Sequence, residues 1–276
     1  MSHNFFRKFQ HRNAKRSSGG VVLYYRDSIK EGITVVKNNY DTIIWIKLDK
    51  EFFHLDSDVY ICGAYVWGES SPAYNAVNVD LFEIIENDVS YYKTLGSVYV
   101  NGDLNARVGN RNDYIEFDRS NDFIDDEEYV PDVPLARASL DRTCNSHGVK
   151  LLDLCKSTCL RIVNGRLGND HNIGTYTFVS QHGASVIDYL LTSDQHLSSI
   201  VRFSVDPISE WSDHVPLGYS IHCNNVKKVP DLQRATIHKW NDAFKNSFRT
   251  NLISQLPGLN DLTGILTRTV GQLSMN

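Results

Sequence analysis

Three short polar islands hold the residues of this chain best suited to chemistry: Gly102-Asp103-Leu104-Asn105, Val186-Ile187-Asp188-Tyr189 and Ser212-Asp213-His214. Each stands beside an apolar run of β-like composition. Together they offer three carboxylates, a carboxamide and an imidazole, a set able to hold a hard divalent cation and aim water at a phosphodiester. Gly102 would let the backbone pass closely beneath a ligand. Asp103 could take a proton from attacking water, and Asn105 could donate to a phosphate oxygen or fix that water. The plainer reading of this island is an Asx turn at a strand end.

Asp188 lies in the apolar run 186–191, where an inward carboxylate is costly unless a cation or several donors meet it. Alternation that turns it to solvent is the competing reading. His214 is the natural partner: Asp188 on one ring nitrogen would fix the tautomer and stabilise imidazolium, leaving the other nitrogen for a phosphate. Asp213 would then be free for metal.

The elements that must position these islands are readable in outline. Short runs rich in Val, Ile, Tyr and Trp predict strands at 21–25, 42–48 and 59–66. Residues 78–92 place apolar side chains at 81, 82, 84, 85, 89 and 92, close to one helical face, before a strand at 98–100 that delivers Asp103. Residues 110–134 are polar, with Asp122, Asp125, Asp126, Glu127 and Glu128 close together, and read as a long solvated loop. A helix is expected over 138–159, interrupted near Gly148, with Leu151, Leu152, Leu154, Cys155 and Cys159 inward. Strands at 175–179, 185–191, 200–205 and 217–222 complete a mixture of largely antiparallel meanders and helices, which predicts two packed sheets flanked by helices.

The two ends differ from this middle. Residues 1–18 are basic and aromatic without clean periodicity, and 226–229 form an expected linker. After it, Ile237, Trp240, Phe244, Phe248 and Leu252 recur at spacings of 3, 4, 4 and 4, an amphipathic helix over 235–252. The expected organisation is thus a basic segment 1–18, a principal domain 19–223, and a linker with a helical tail 224–276.

At 276 residues and 41% hydrophobic the chain can bury a sizeable core, so disorder and fibrous repeats are excluded. A formal charge of −5 gives no whole-protein signature of a nucleic-acid binder, so partner identity must come from the site. Five cysteines, odd in number and without paired zinc spacing, suit a reducing nucleus or cytoplasm. No apolar run approaches the ~18–20 residues of a membrane span.

The ordered set Gly19-Gly20-Val21-Val22-Leu23-Tyr24-Tyr25-Arg26, Ala64-Tyr65, Gly102-Asp103-Leu104-Asn105-Ala106-Arg107, Ser185-Val186-Ile187-Asp188-Tyr189 and Ser212-Asp213-His214-Val215-Pro216-Leu217 resembles the endonuclease/exonuclease/phosphatase superfamily. The likeness is greatest to the apurinic-type endonuclease domain of non-LTR retrotransposons, and it spans about residues 19–222. It implies a four-layered α/β sandwich of two mainly antiparallel sheets flanked by helices, acting on DNA by Mg²⁺- or Mn²⁺-dependent phosphodiester hydrolysis that leaves a 3′-hydroxyl. By motif, Asp103 would orient and deprotonate water, Asn105 would hold the phosphate, and Tyr65 would contact a non-bridging oxygen. Asp188 would orient His214, which would neutralise developing charge, and Asp213 would ligate the metal. The Lys239-Trp240 helix looks like the segment preceding a reverse transcriptase, which implies that domain as a partner outside this chain.

One departure accompanies the match. The family's first two strands, bearing an Asn and a metal-ligating Glu, precede the Gly-Gly strand, whereas only 18 residues precede Gly19 and none is Asp or Glu. The expectation is therefore a domain lacking its first strands. A DNA-nicking endonuclease is the leading expectation. A non-catalytic nucleic-acid-binding remnant and a phosphatase or lipid phosphodiesterase are the alternatives.

Overall fold

A computed structural model describes residues 20–71, 74, 79–116, 132–224, 246, 247 and 250. The basic segment 1–18, the acidic stretch 122–128 and most of the tail lie outside the described residues. Asn246, Ser247 and Thr250, within the expected tail helix, are helical. By its contacts the chain forms two units, 1–226 and 227–276. No helix among the described residues is long and apolar enough to cross a membrane.

The first unit is a mixed α/β structure built on a six-stranded sheet in the order β1-β2-β3-β4-β8-β5. These strands are Ile33–Tyr40 (β1), Ile43–Leu48 (β2), Val59–Tyr65 (β3), Ser97–Asp103 (β4), Asp188–Ser193 (β8) and Leu160–Ile162 (β5). All pairings are antiparallel except β3–β4, which is parallel and joined by the helix α1, Leu81–Lys93. A second helix, α2, spans Ser146–Thr158. The short hairpin Phe178–Ser180 (β6) and Gly183–Ser185 (β7), and the pair Ile200–Val205 (β9) and Leu217–Ile221 (β10), form two smaller sheets.

Period-2 alternation divides the large sheet between two cores. Tyr60, Cys62 and Ala64 of β3, Val98 and Val100 of β4, and Tyr189 and Leu191 of β8 face the helices, against Leu81, Phe82, Ile85 and Val89 of α1 and Leu151, Leu154 and Cys155 of α2. Val59, Tyr99 and Leu190 face the other way, onto Ile200, Phe203 and Val205 of β9. Asp80 caps α1 by accepting from the Phe82 amide at 3.0 Å. The pattern of runs predicts two packed sheets flanked by helices; the observed mixture of strands and helices agrees, with one six-stranded sheet and two smaller ones.

Four details depart from expectation. Residues 21–25 form no strand; the Val21 side chain instead lies over Gly63 of β3. The helix expected from 138 begins at Ser146, because Asn145 accepts the Gly148 amide at 2.8 Å and starts it there. Gly148 does not interrupt α2: it stands in the first turn, where a Cβ would fall 1.8 Å from the Arg107 carbonyl. Strands β1 and β5 carry no run that the sequence reading picked out.

Candidate metal-binding catalytic site

The site is built where β4 and β8 end side by side. Their antiparallel register pairs Asp103, the last residue of β4, with Asp188, the first of β8, so both carboxylates lie at one end of these two interior strands. Gly102 has φ +138°, and a Cβ there would lie 1.9 Å from the Ala64 carbonyl. The glycine therefore serves close approach of β3 to β4, rather than passage beneath a ligand as expected, and it sets where Asp103 sits.

His214 arrives from the segment before β10. Its backbone bridges Phe178 of β6, and the Val179 and Val215 amides donate to the Asp213 and Thr177 carbonyls at 2.9 and 2.7 Å. The His214 Nδ1 faces both Asp188 carboxylate oxygens at 3.1 and 3.2 Å, while Nε2 lies 3.9 Å from Asp103 Oδ2. Nδ1–H donating to Asp188 places the second nitrogen toward Asp103 and solvent. Phe178 packs edge-on against the imidazole, with ring centroids 5.0 Å apart.

Asp103, Asp188 and His214 thus offer ligand atoms that all lie within 4.8 Å of one another. Burial, and then the charge of Asp188, push the Asp103 carboxyl up from 3.8 to about 6, against the opposing hydrogen bonds of Asn105 and the charge of His214. Burial likewise raises Asp188, opposed by His214 and by a hydrogen bond from Thr177. Two carboxylates that resist ionisation side by side form a donor set that a cation would relieve. Mg²⁺ commonly takes one or two protein carboxylates and completes its shell with water and phosphate, so these residues fit a hard divalent ion.

The remaining expected site residues divide. Asn105, at φ +47°, donates its backbone amide to Asp103 Oδ1 at 2.9 Å, so the Asx turn and the proximity to the site occur together. Its Nδ2 donates to the Val66 carbonyl at 2.8 Å and to Asp103 Oδ2 at 3.2 Å, which engages the amide hydrogens expected to reach a phosphate. Asn105 here braces Asp103. Tyr65 is paired with Asp103 across β3 and β4; burial, then the Asp103 charge, raises its phenol above the usual range. Asp213 is exposed and its carboxylate is outside the cluster; its carbonyl serves β6 instead.

Thr177 is a member that the sequence reading missed. Its buried Oγ1 accepts both the Ile187 and Asp188 amides at 3.0 Å. The only sequence signal was its place in the run 175–179. Arg107, quoted in the motif, is held by Asp141 through two bonds of 2.7 Å and supports the turn rather than the cluster.

No family model matches the chain, and no curated protein does. Among solved structures, it is similar to the endonuclease domain of TRAS1, a telomere-specific non-LTR retrotransposon, at 14% identity and a TM-score of 0.48, covering 81% of each chain. It is also similar to the 3′-5′ exonuclease NExo from Neisseria meningitidis, at 16% identity and a TM-score of 0.42, covering 68% of this chain and 70% of that one. A third is the AP endonuclease LMAP from Leishmania major, at 15% identity and a TM-score of 0.46, covering 67% of this chain and 56% of that one.

Proposed function

We propose that residues 19–223 form a divalent-metal-dependent phosphodiesterase that nicks DNA, of the retrotransposon endonuclease type. The observation that carries this reading is the convergence of Asp103, Asp188 and His214 within 4.8 Å. Asp103 and Asp188 would hold Mg²⁺ or Mn²⁺. Bound there, the ion would polarise the phosphate and neutralise charge. Asp103 would orient the attacking water beside the ion and take its proton. Asn105 fixes its orientation through the 2.9 and 3.2 Å bonds. Asp188 holds His214 so that Nε2 faces the negative charge developing on the phosphate. The tail 224–276 would link this domain to a reverse transcriptase.

A second reading has its own observation. Among the described residues the cluster contains no Glu, the ligand that the resemblance implies. A DNA-binding domain without catalysis fits that composition. Supercoiled plasmid incubated with the protein and Mg²⁺ or Mn²⁺ separates the two. The nuclease reading expects open circles from the parent and none from Asp103→Asn or His214→Ala; salt-sensitive DNA retention by a folded parent that never nicks establishes the second reading instead.

A further inference from the structure

The loop between β9 and β10 carries an aromatic side chain that packing does not explain. Trp211 is 92% exposed, the most of any large apolar side chain among the described residues. Its backbone is nonetheless tied in place. The Trp211 amide donates to Ser209 Oγ at 3.3 Å, Ser209 and Ser212 form an antiparallel bridge, and the His214 amide donates to Ser212 Oγ at 3.1 Å. Trp211 stands three positions before His214, so their Cα atoms are at most about 10 Å apart, which anchors the exposed indole on the segment that carries His214 into the Asp103–Asp188–His214 cluster.

Charge narrows what it can meet. Residues 203–226 contain no Lys or Arg, whereas Asp206, Glu210 and Asp213 make the loop acidic. Such a loop repels a phosphate backbone, and an exposed indole beside it is suited to a flat uncharged ring. We infer that Trp211 stacks on an unstacked nucleobase adjacent to the phosphodiester at the cluster, an inference that rests on the DNA reading above. In an intact duplex both faces of each internal base are covered. The preferred partner is therefore DNA whose stack is open: single-stranded, mismatched or frayed.

Tryptophan emission in EDTA, titrated with a single-stranded oligonucleotide, a duplex with a central mismatch and a perfect duplex, tests this without relying on catalysis. The parent should be quenched most by the first two. Trp211→Ala should weaken binding to those two about tenfold while changing the perfect duplex less than about twofold, with an unaltered melting temperature, since base–aromatic stacking contributes on that order. Trp211→Phe should keep the affinity but lose the quenching, because stacking survives and the reporter does not. If Trp211→Ala binds all three DNAs as the parent does, the inference is overturned, and plasmid nicking by the parent would leave the nuclease reading standing. If the parent binds none of the DNAs and nicks none, both fall together.

Discussion

Two groups of carboxylates converge at different depths of this fold and are treated oppositely. Asp113 is fully buried, yet it accepts two bonds of 2.6 Å from the Arg166 guanidinium and one of 2.8 Å from the Ile162 amide. Burial would raise its carboxyl; Arg166 and the amide outweigh that and hold it below the usual range. Nearby, buried Arg161 pairs with Asp132, so two positions flanking the 117–131 stretch are fixed to β5 and its following turn. Asp103 and Asp188 are also mostly buried, but among the described residues no arginine meets them, and both rise. A fold able to neutralise one buried carboxylate with a bidentate arginine leaves two others facing one another and an imidazole. That contrast separates carboxylates that hold the structure from carboxylates kept for a ligand.

The comparison breaks most visibly if the two groups are truncated in turn. Asp113→Ala leaves Arg166 buried without its counter-ion and should cost about 3–5 kcal/mol in urea unfolding, enough to abolish folding in a marginal background. Asp103→Asn should fold as well as the parent. A second outcome inverts the ranking: Asp103→Asn and His214→Ala should each lower plasmid nicking by about 10²-fold or more, with no loss of melting temperature. Equal stability loss from Asp103→Asn and Asp113→Ala would erase the distinction.

Acid sharpens it further, because the two shifts have opposite sign. Asp103, raised from 3.8 to about 6, binds its proton more tightly folded than unfolded, so its contribution to stability declines as pH rises from about 4 to 6. That rise corresponds to about 3 kcal/mol at most. In metal-free buffer Asp103→Asn should therefore melt above the parent at pH 7, with the gap closing toward pH 4. Asp113 is lowered, so its contribution is present above the ordinary carboxylate range and is lost as pH falls through its folded value. Melting temperatures measured from pH 3 to 7 for the parent and Asp103→Asn would detect the first trend directly.

The same contrast explains what could be read from residues alone. The three islands were legible because each joins a few chemically capable side chains to an apolar run, and strands β2, β3, β4, β8, β9 and β10 lie on short runs of Val, Ile, Leu, Tyr, Phe and Trp. The run 21–25 has the same composition but no ladder partner, since local composition does not specify pairing. Strand β1 was missed because Lys37, Asn38 and Asn39 interrupt its pattern, and its register shifts at Lys37. The Asp113 centre was illegible for a different reason. Its arginine lies 53 residues away, and in sequence an Asp that meets a guanidinium looks like one that meets water.

Thr177 offers the smallest and most local test. Its Oγ1 is acceptor to two consecutive amides at the start of β8, and its hydroxyl proton bonds the Asp188 carboxylate, so a single oxygen sets the backbone and the charge of the residue that orients His214. Thr177→Val preserves shape but leaves two buried donors unsatisfied, an expected loss of about 1–3 kcal/mol. If Asp188 positions His214 as described, nicking should fall about tenfold beyond what reduced folding explains, which corresponds to ~1.4 kcal/mol in the barrier. Thr177→Ser restores the hydroxyl and should recover most of both effects. A Thr177→Val protein that loses stability yet nicks at the parental rate per folded molecule would place Thr177 with Asp113, among the groups that only hold the fold.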